Sequence, residues 1–212
     1  MRSLAARTNL YYPNFTFELT ALQSGHSLIC GIDEAGRGPW AGPVVASAVI
    51  LDPSNIPAGL NDSKKLTHEK REALFNPLLK SAQVGIGVVS AAEIDQINIL
   101  QATYLAMRRA VEALKSKPDL ALIDGNRAPP LSCKVQTIIK GDSLSLSIAA
   151  ASIIAKVTRD RIMIDVERQY PGYSFAIHKG YGTAKHAAAL VLLGPCSEHR
   201  KSFKPIARLL AR

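Results

Sequence analysis

Carboxylates stand at the ends of three apolar runs, and they are the residues of this chain best suited to chemistry. Asp33 and Glu34 close the run that begins at Leu28, Asp124 follows Leu120-Ala121-Leu122-Ile123, and Asp142 follows Ile138-Ile139-Lys140-Gly141. An ion is costly to bury without a partner, so each acid needs a reason to sit where a strand runs out. Taken singly, the reasons are ordinary. Asp33 and Glu34 read as a strand-end turn with solvated acids, and Asp142 as a cap or dipole partner for the helix after it. Three strand ends that each deliver a carboxylate are harder to dismiss, because the ends of strands in an open α/β sheet border the crevice where ligands bind. An oxygen-only cluster suits hard cations such as Mg2+ or Mn2+; zinc would want His or Cys. Two such ions about 4 Å apart can hold both the attacking and the leaving oxygen of a displacement at phosphorus. Adjacent strand residues face opposite ways, so Asp33 and Glu34 can reach one ion only if the chain bends. Gly36 and Gly38 would permit that bend.

The charge distribution points to a polyanion. The chain carries 26 Lys and Arg against 17 Asp and Glu, a net +9. Residues 1–150 hold 15 bases and 13 acids, whereas residues 151–212 hold 11 bases and 4 acids. Phosphates give up condensed counterions to Lys and Arg, so a basic end on a balanced domain fits nucleic acid. An acidic site beside a basic region therefore implies metal-dependent phosphodiester chemistry.

Several other chemistries fail on spacing. The segment Gly36-Arg37-Gly38-Pro39-Trp40-Ala41-Gly42 places its last glycine too late for a dinucleotide fingerprint, and Pro43 opens a strand where a helix would be needed. There is no P-loop, no H-E-x-x-H and no G-x-S-x-G. His178 and His186 read as surface polar residues near phosphate, not as metal ligands. Cys30, Cys133 and Cys196 form no C-x-x-C pair, so reduced thiols in the cytoplasm are expected. No apolar run reaches the roughly 18 residues of a membrane span, and residues 1–17 lack the apolar centre of a secretory signal.

The elements that must position these acids follow from the pattern. At 212 residues and 47% hydrophobic, the chain fits one domain with a sizeable core. Residues 1–26 read as a loosely patterned N-terminal extension, and residues 27–212 as one domain with a basic helical C-terminal segment. Strands are expected over 28–33 and 44–51 as an antiparallel pair, then around Val84, Ile86 and Val88, and over 120–123 and 135–139. A helix should start near Thr67 and be limited or kinked by Pro77. Ser90-Ala91-Ala92-Glu93 has capping-box form, and Leu100, Tyr104, Met107, Val111 and Leu114 make one buried stripe beyond it. Residues 145–169 read as a long helix whose Ala- and Ser-rich start could lie close on a sheet. Residues 183–193 read as another, stopped by Gly194-Pro195. The fold class is mixed α/β.

Five blocks in order carry a family resemblance. Gly31-Ile32-Asp33-Glu34-Ala35-Gly36-Arg37-Gly38-Pro39, with Ala41-Gly42-Pro43-Val44-Val45 after it, resembles the opening motif of bacterial ribonuclease HII. Asn61-Asp62-Ser63-Lys64-Lys65-Leu66, Asp124-Gly125-Asn126, Lys140-Gly141-Asp142 running into the Ala-rich helix, and His178-Lys179-Gly180-Tyr181-Gly182-Thr183 with Lys185-His186 agree as well. The resemblance spans about residues 28–205. It implies a ribonuclease H-like fold, a mixed five-stranded sheet flanked by helices with a helical C-terminal part. It also implies an endonuclease that uses Mn2+ or Mg2+ to cut the RNA strand of RNA–DNA hybrids and to cut 5′ of single ribonucleotides in duplex DNA; a monomer is expected. By motif, Asp33, Glu34, Asp124 and Asp142 match the metal-binding carboxylates, and Gly36-Arg37-Gly38 the element that reads a 2′-hydroxyl. Tyr181 matches the tyrosine that stacks on the next deoxyribose. Lys64, Lys65, Lys179, Thr183 and Lys185 are then substrate contacts, the lysines on phosphates. Trp40, where a smaller aliphatic is usual, and Pro77 depart from the pattern. A non-catalytic relic of this fold would have lost acids, yet all four are present; a DNA-directed nuclease on the same fold would cut all-DNA duplex.

Overall fold

In a computed structural model, residues 12–211 are described; residues 1–11 of the expected extension lie outside them. The element order begins α1 (Thr16–Gln23), β1 (Ile29–Ala35), β2 (Val44–Leu51), α2 (His68–Ser81), β3 (Ala82–Val89) and α3 (Ala91–Glu112). It continues with β4 (Leu120–Asp124), β5 (Lys134–Ile138), a 3-10 turn (Gly141–Ser143) and α4 (Leu146–Gln169). Three shorter helices, α5 (Phe175–His178), α6 (Ala184–Leu193) and α7 (Lys204–Leu210), form the C-terminal part. The sheet runs β3-β2-β1-β4-β5; β1 lies antiparallel to β2 and parallel to β4. This is the mixed five-stranded sheet that the resemblance implies.

Each sheet face carries one long helix. Cys30, Ile32, Ala46 and Ile123 pack beneath Ala102, Ala106 and Ala110 of α3. On the other face, Val49 and Leu51 meet Ala149, Ala150 and Ile153 of α4, with Phe75 and Leu78 of α2 at the side. The small residues at the start of α4 do what their size suggested. A Cβ on Gly31 would lie 2.1 Å from the Ser147 carbonyl carbon, so the helix backbone rests directly on the central strand.

Local signals hold at the helix ends. Thr67 caps α2, Ser145 caps α4, Thr183 caps α6, and Ser90 with Glu93 forms the reciprocal box. Pro77 lies inside α2, four residues before its end. Asn98 (φ 65°) breaks α3, and its side chain accepts from the Leu100 and Gln101 amides, restarting the helix at the apolar stripe.

The segment read as a loose extension is built into the domain over its described part. Asn14 bridges to Ser145, and buried Glu18 of α1 accepts from the Ser145 hydroxyl (2.5 Å), the Ser147 amide (2.9 Å) and the Ser147 hydroxyl (2.6 Å). A carboxylate at the N-terminus of α4 is also favoured by the helix dipole. Those three bonds fix the helix that follows Asp142. Among the described residues, no helix is long and apolar enough to cross a membrane.

Candidate active site

Strand alternation places the acids. Gly31 faces α4, and two residues on Asp33 faces the same way, while Ile32 and Glu34 turn toward α3. Asp124 ends β4 beside β1, and its Oδ1 accepts from the Gly141 amide at 2.7 Å, which ties it to the turn carrying Asp142. One oxygen from each of Asp33, Asp124 and Asp142 lies within 4.8 Å of the others. Asp142 therefore does not cap α4: Ser145 does that, and the Asp142 carboxylate pairs with Lys64 Nζ at 3.3 Å.

Glu34 lies beside this trio but outside its 4.8 Å grouping. The bend expected after Asp33 does not occur there, because β1 stays extended through Ala35. Glu34 accepts from Arg37 Nη1 at 3.3 Å and borders two clefts, one of about 380 Å3 with Asp124, Met107 and Arg127 and the one that Asp33 also lines.

The trio is short of positive charge. Burial, then the charges of Glu34 and Asp124, hold the Asp33 carboxyl well above the usual carboxylate range. Burial, then Asp124 and Asp62, raises Asp142, and Lys64 only partly offsets this. Burial alone would lower Lys64, but Asp33 and Asp142 hold it above the ordinary lysine value. Crowded, desolvated carboxylates with one exposed amine are a seat for a cation.

Beside the trio lies a cleft of about 360 Å3 bordered by Asp33, Glu34, Gly36, Arg37, Gly38, Lys64, Asp124 and Tyr181. Gly36 takes φ +99°, a conformation that favours glycine. The Tyr181 ring, 46% exposed, comes within 3.7 Å of where a Cβ on Gly38 would sit. Other expected contacts lie at the rim. Lys65 Nζ donates to Ser143 (3.0 Å), and Lys185 is exposed on α6. Lys179 turns its amine onto the Ala176 carbonyl, and Thr183 spends its hydroxyl capping α6.

Three side chains at the site had not been singled out. Lys156 of α4 lines the cleft. Asp62 accepts from the Lys64 amide (2.9 Å) and fixes the loop carrying Lys64. Arg159 also borders the cleft. Asp62 stands in the Asn61–Leu66 block and Lys156 in the Ala-rich helix that follows Asp142; nothing local marks Arg159.

The histidines correct the surface reading. His178, His186 and His199 are buried; the first two stack at 4.5 Å, and His186 Nε2 lies 3.0 Å from His199 Nε2. Burial lowers His186, and burial followed by the His186 charge lowers His199 to about 4. These buried rings are scaffold. His186 Nδ1 meets the Tyr181 carbonyl at 2.9 Å, and Trp40 packs on the same ring and over Gly182.

Comparisons with known proteins agree with this geometry. The family model for ribonuclease HII matches residues 30–206. Ribonuclease HII of Azorhizobium caulinodans is 54% identical over 205 residues, covering 97% of this chain and 79% of the relative. That of Rhizobium meliloti is 57% identical over 194 residues, covering 91% and 90%. Among solved structures, ribonuclease H2 from Pyrococcus horikoshii OT3 superposes with a TM-score of 0.73 at 28% identity, over 88% of this chain and 98% of that one. The Bst-RNase HIII structure in complex with Mn2+ shares the fold, with a TM-score of 0.64 at 21% identity over 91% and 72%. The chain belongs to the ribonuclease HII family.

Proposed function

We propose that the protein is a metal-dependent endoribonuclease that hydrolyses the RNA strand of RNA–DNA hybrids. It also cuts 5′ of a single ribonucleotide in duplex DNA, leaving 3′-hydroxyl and 5′-phosphate ends. The observation that carries this reading is the meeting, in one cleft, of the Asp33–Asp124–Asp142 trio with the Gly36–Gly38 segment beneath Tyr181. The all-oxygen donor set fits Mn2+ or Mg2+, and a Mn2+ complex of a protein with this fold supports the choice. Divalent ions held by Asp33, Asp124 and Asp142, with Glu34 beside Asp124 completing the set, would stabilise charge on the phosphoryl oxygens.

The chain's own groups do the rest. Without a side chain, Gly38 leaves the backbone below Tyr181 open to a 2′-hydroxyl, the group that distinguishes RNA from DNA, and Gly36 supplies the positive-φ turn that presents it. Tyr181 offers its exposed ring to the deoxyribose that follows, which fixes the register of the strand and so aligns the scissile phosphate, on the 5′ side of the ribonucleotide, with the trio. Arg37, Lys65 and Lys185 at the rim hold phosphates without reading sequence. Lys64 balances part of the acidic charge. Lys179 and Thr183 act from behind Tyr181, the first by closing the turn before it and the second by capping the helix after it. Water is the nucleophile and the 3′-oxygen leaves, so no Ser or Cys nucleophile is required.

Three duplexes test the reading: a long RNA–DNA hybrid, DNA with one ribonucleotide, and all-DNA. The first two are cut with Mn2+ or Mg2+ and spared with EDTA, and the third stays intact. Cleavage of all-DNA would assign a DNA nuclease on the same fold, and cleavage in EDTA would remove the metals.

A further inference from the structure

Two buried arginines lie behind the cleft, and neither has a carboxylate within ion-pair distance among the described residues. Arg200 is 0% exposed and Arg159 1%. A buried guanidinium is costly unless its donors are satisfied, and here backbone carbonyls satisfy them. Arg200 donates to the carbonyls of Gly36 (2.6 Å), Arg37 (2.9 Å), Gly42 (2.9 Å) and Pro43 (3.1 Å). Arg159 donates to Pro43 (2.9 Å), Ala41 (3.2 Å) and Lys179 (3.0 Å). Arg159 thus bridges the loop before β2 to the turn that presents Tyr181. Backbone bonds cross the same seam, from the Trp40 amide to the Gly180 carbonyl and from the Gly42 amide to the Glu198 carbonyl, each 2.8 Å.

The direction of these bonds matters. In a planar trans peptide the carbonyl and the next N–H point opposite ways. With the Gly36 and Arg37 carbonyls turned inward onto Arg200, the Arg37 and Gly38 amides are turned outward. Neither amide donates to a protein acceptor among the described residues. Gly36 is also required by the clamp, since a Cβ there would lie 2.0 Å from Arg159 Nε.

We infer that Arg200 and Arg159 are positioning residues that aim the Arg37 and Gly38 amides into the cleft and fix their distance from Tyr181. They thereby set the specificity for an isolated ribonucleotide. This rests on the proposed reading of Gly36–Gly38 and Tyr181 as the device that recognises an RNA–DNA junction. A long hybrid offers many 2′-hydroxyls and many registers, so it tolerates a loosened loop. A single ribonucleotide offers one.

The test is Arg200→Lys, which keeps the charge but cannot reach four carbonyls. With the variant folded by its melting curve, kcat/KM on the single-ribonucleotide duplex falls at least about tenfold more than on a long hybrid. A role in folding alone would lower both substrates together, and an unchanged ratio overturns the inference. Arg159→Lys is read by the same ratio should Arg200→Lys not fold. In the wild-type protein, the Trp40 and Gly42 amides are protected from hydrogen exchange before any duplex is added. Free exchange at both, with protection only after binding, shows that the loop is not preset and also overturns the inference. A wild-type enzyme that ignores the single ribonucleotide overturns the junction reading itself; a normal wild type with an unchanged variant ratio overturns only the arginine assignment.

Discussion

Replacing Asp33 by Asn should stabilise the metal-free protein while abolishing its activity. One oxygen each from Asp33, Asp124 and Asp142 lies within 4.8 Å of the others. At that separation each ionised pair repels by roughly 3 kcal/mol if the effective dielectric constant is about 20. Lys64 pairs with Asp142 and returns part of this. Asn keeps the shape, and its oxygen can still accept from the Glu34 amide as Asp33 does at 2.7 Å. A net gain of about 1–2 kcal/mol remains, which for a chain of this size raises Tm by roughly 2–8 °C. The sign depends on pH. The folded-state pKa of Asp33 is raised by burial and by its acidic neighbours, so stability is lost as pH rises from the ordinary carboxylate range toward that raised value. The advantage of Asn is therefore largest above that folded-state value and vanishes below about pH 3, where Asp is protonated in both states. Mn2+ at about a hundred times its Kd adds roughly 2.7 kcal/mol to the wild type, more than cancelling the difference, and little to the variant. Melting curves in EDTA and in Mn2+ read both effects. An Asp33→Asn protein that melts lower in EDTA, or that gains as much from Mn2+ as the wild type, refutes the reasoning.

Tyr181→Ala should cut the single-ribonucleotide duplex on the order of a hundredfold more slowly, since the ring aligns the phosphate, while the melting curve barely moves because the ring is half exposed; equal rates would remove Tyr181 from recognition. Lys185→Ala should weaken binding to all duplex sequences alike and reduce the salt slope by about one, measured by titration at several salt concentrations. Glu18→Ala leaves the Ser145 and Ser147 donors buried without their acceptor, at a cost of roughly 2–4 kcal/mol by denaturant titration; a neutral result would make α1 dispensable. Burial holds His199 at about 4, below the ordinary 6.5, so its neutral form supports the fold above pH 6.5 and that support is lost as pH falls toward 4. His199→Gln should accordingly flatten the decline in stability between about pH 6.5 and 4 relative to wild type.

Strands and helix caps were legible because their signals are local. Apolar runs ending in acids gave β1 and β4, and Ser90 with Glu93 and Thr183 announced helix starts that the backbone adopts. What the sequence did not disclose depends on distant partners. Glu18 looks like a surface acid until Ser145 and Ser147, 127 and 129 residues away, close over it. The histidines look solvated until α5, α6 and the 194–203 loop pack their rings together. The glycines after Glu34 suggested a bend at the strand end; the pairing of β1 with β2 through Ala35 keeps the strand straight, and Glu34 borders the acidic cleft from the opposite side of β1. Arg159 and Arg200 carry no local mark at all. Their roles exist only once two segments far apart in the chain meet.

Mapping the ends released from a DNA duplex with one ribonucleotide, in Mn2+ and at single-nucleotide resolution, tests the central claim most directly. A metal seat beside a 2′-hydroxyl reader predicts one cut, on the 5′ side of the ribonucleotide, with a 3′-hydroxyl on one fragment and a 5′-phosphate on the other. An intact duplex would contradict recognition by Gly36–Gly38 and Tyr181. A cut on the 3′ side that leaves a 2′,3′-cyclic phosphate would make the 2′-hydroxyl the nucleophile and contradict the account of hydrolysis by water.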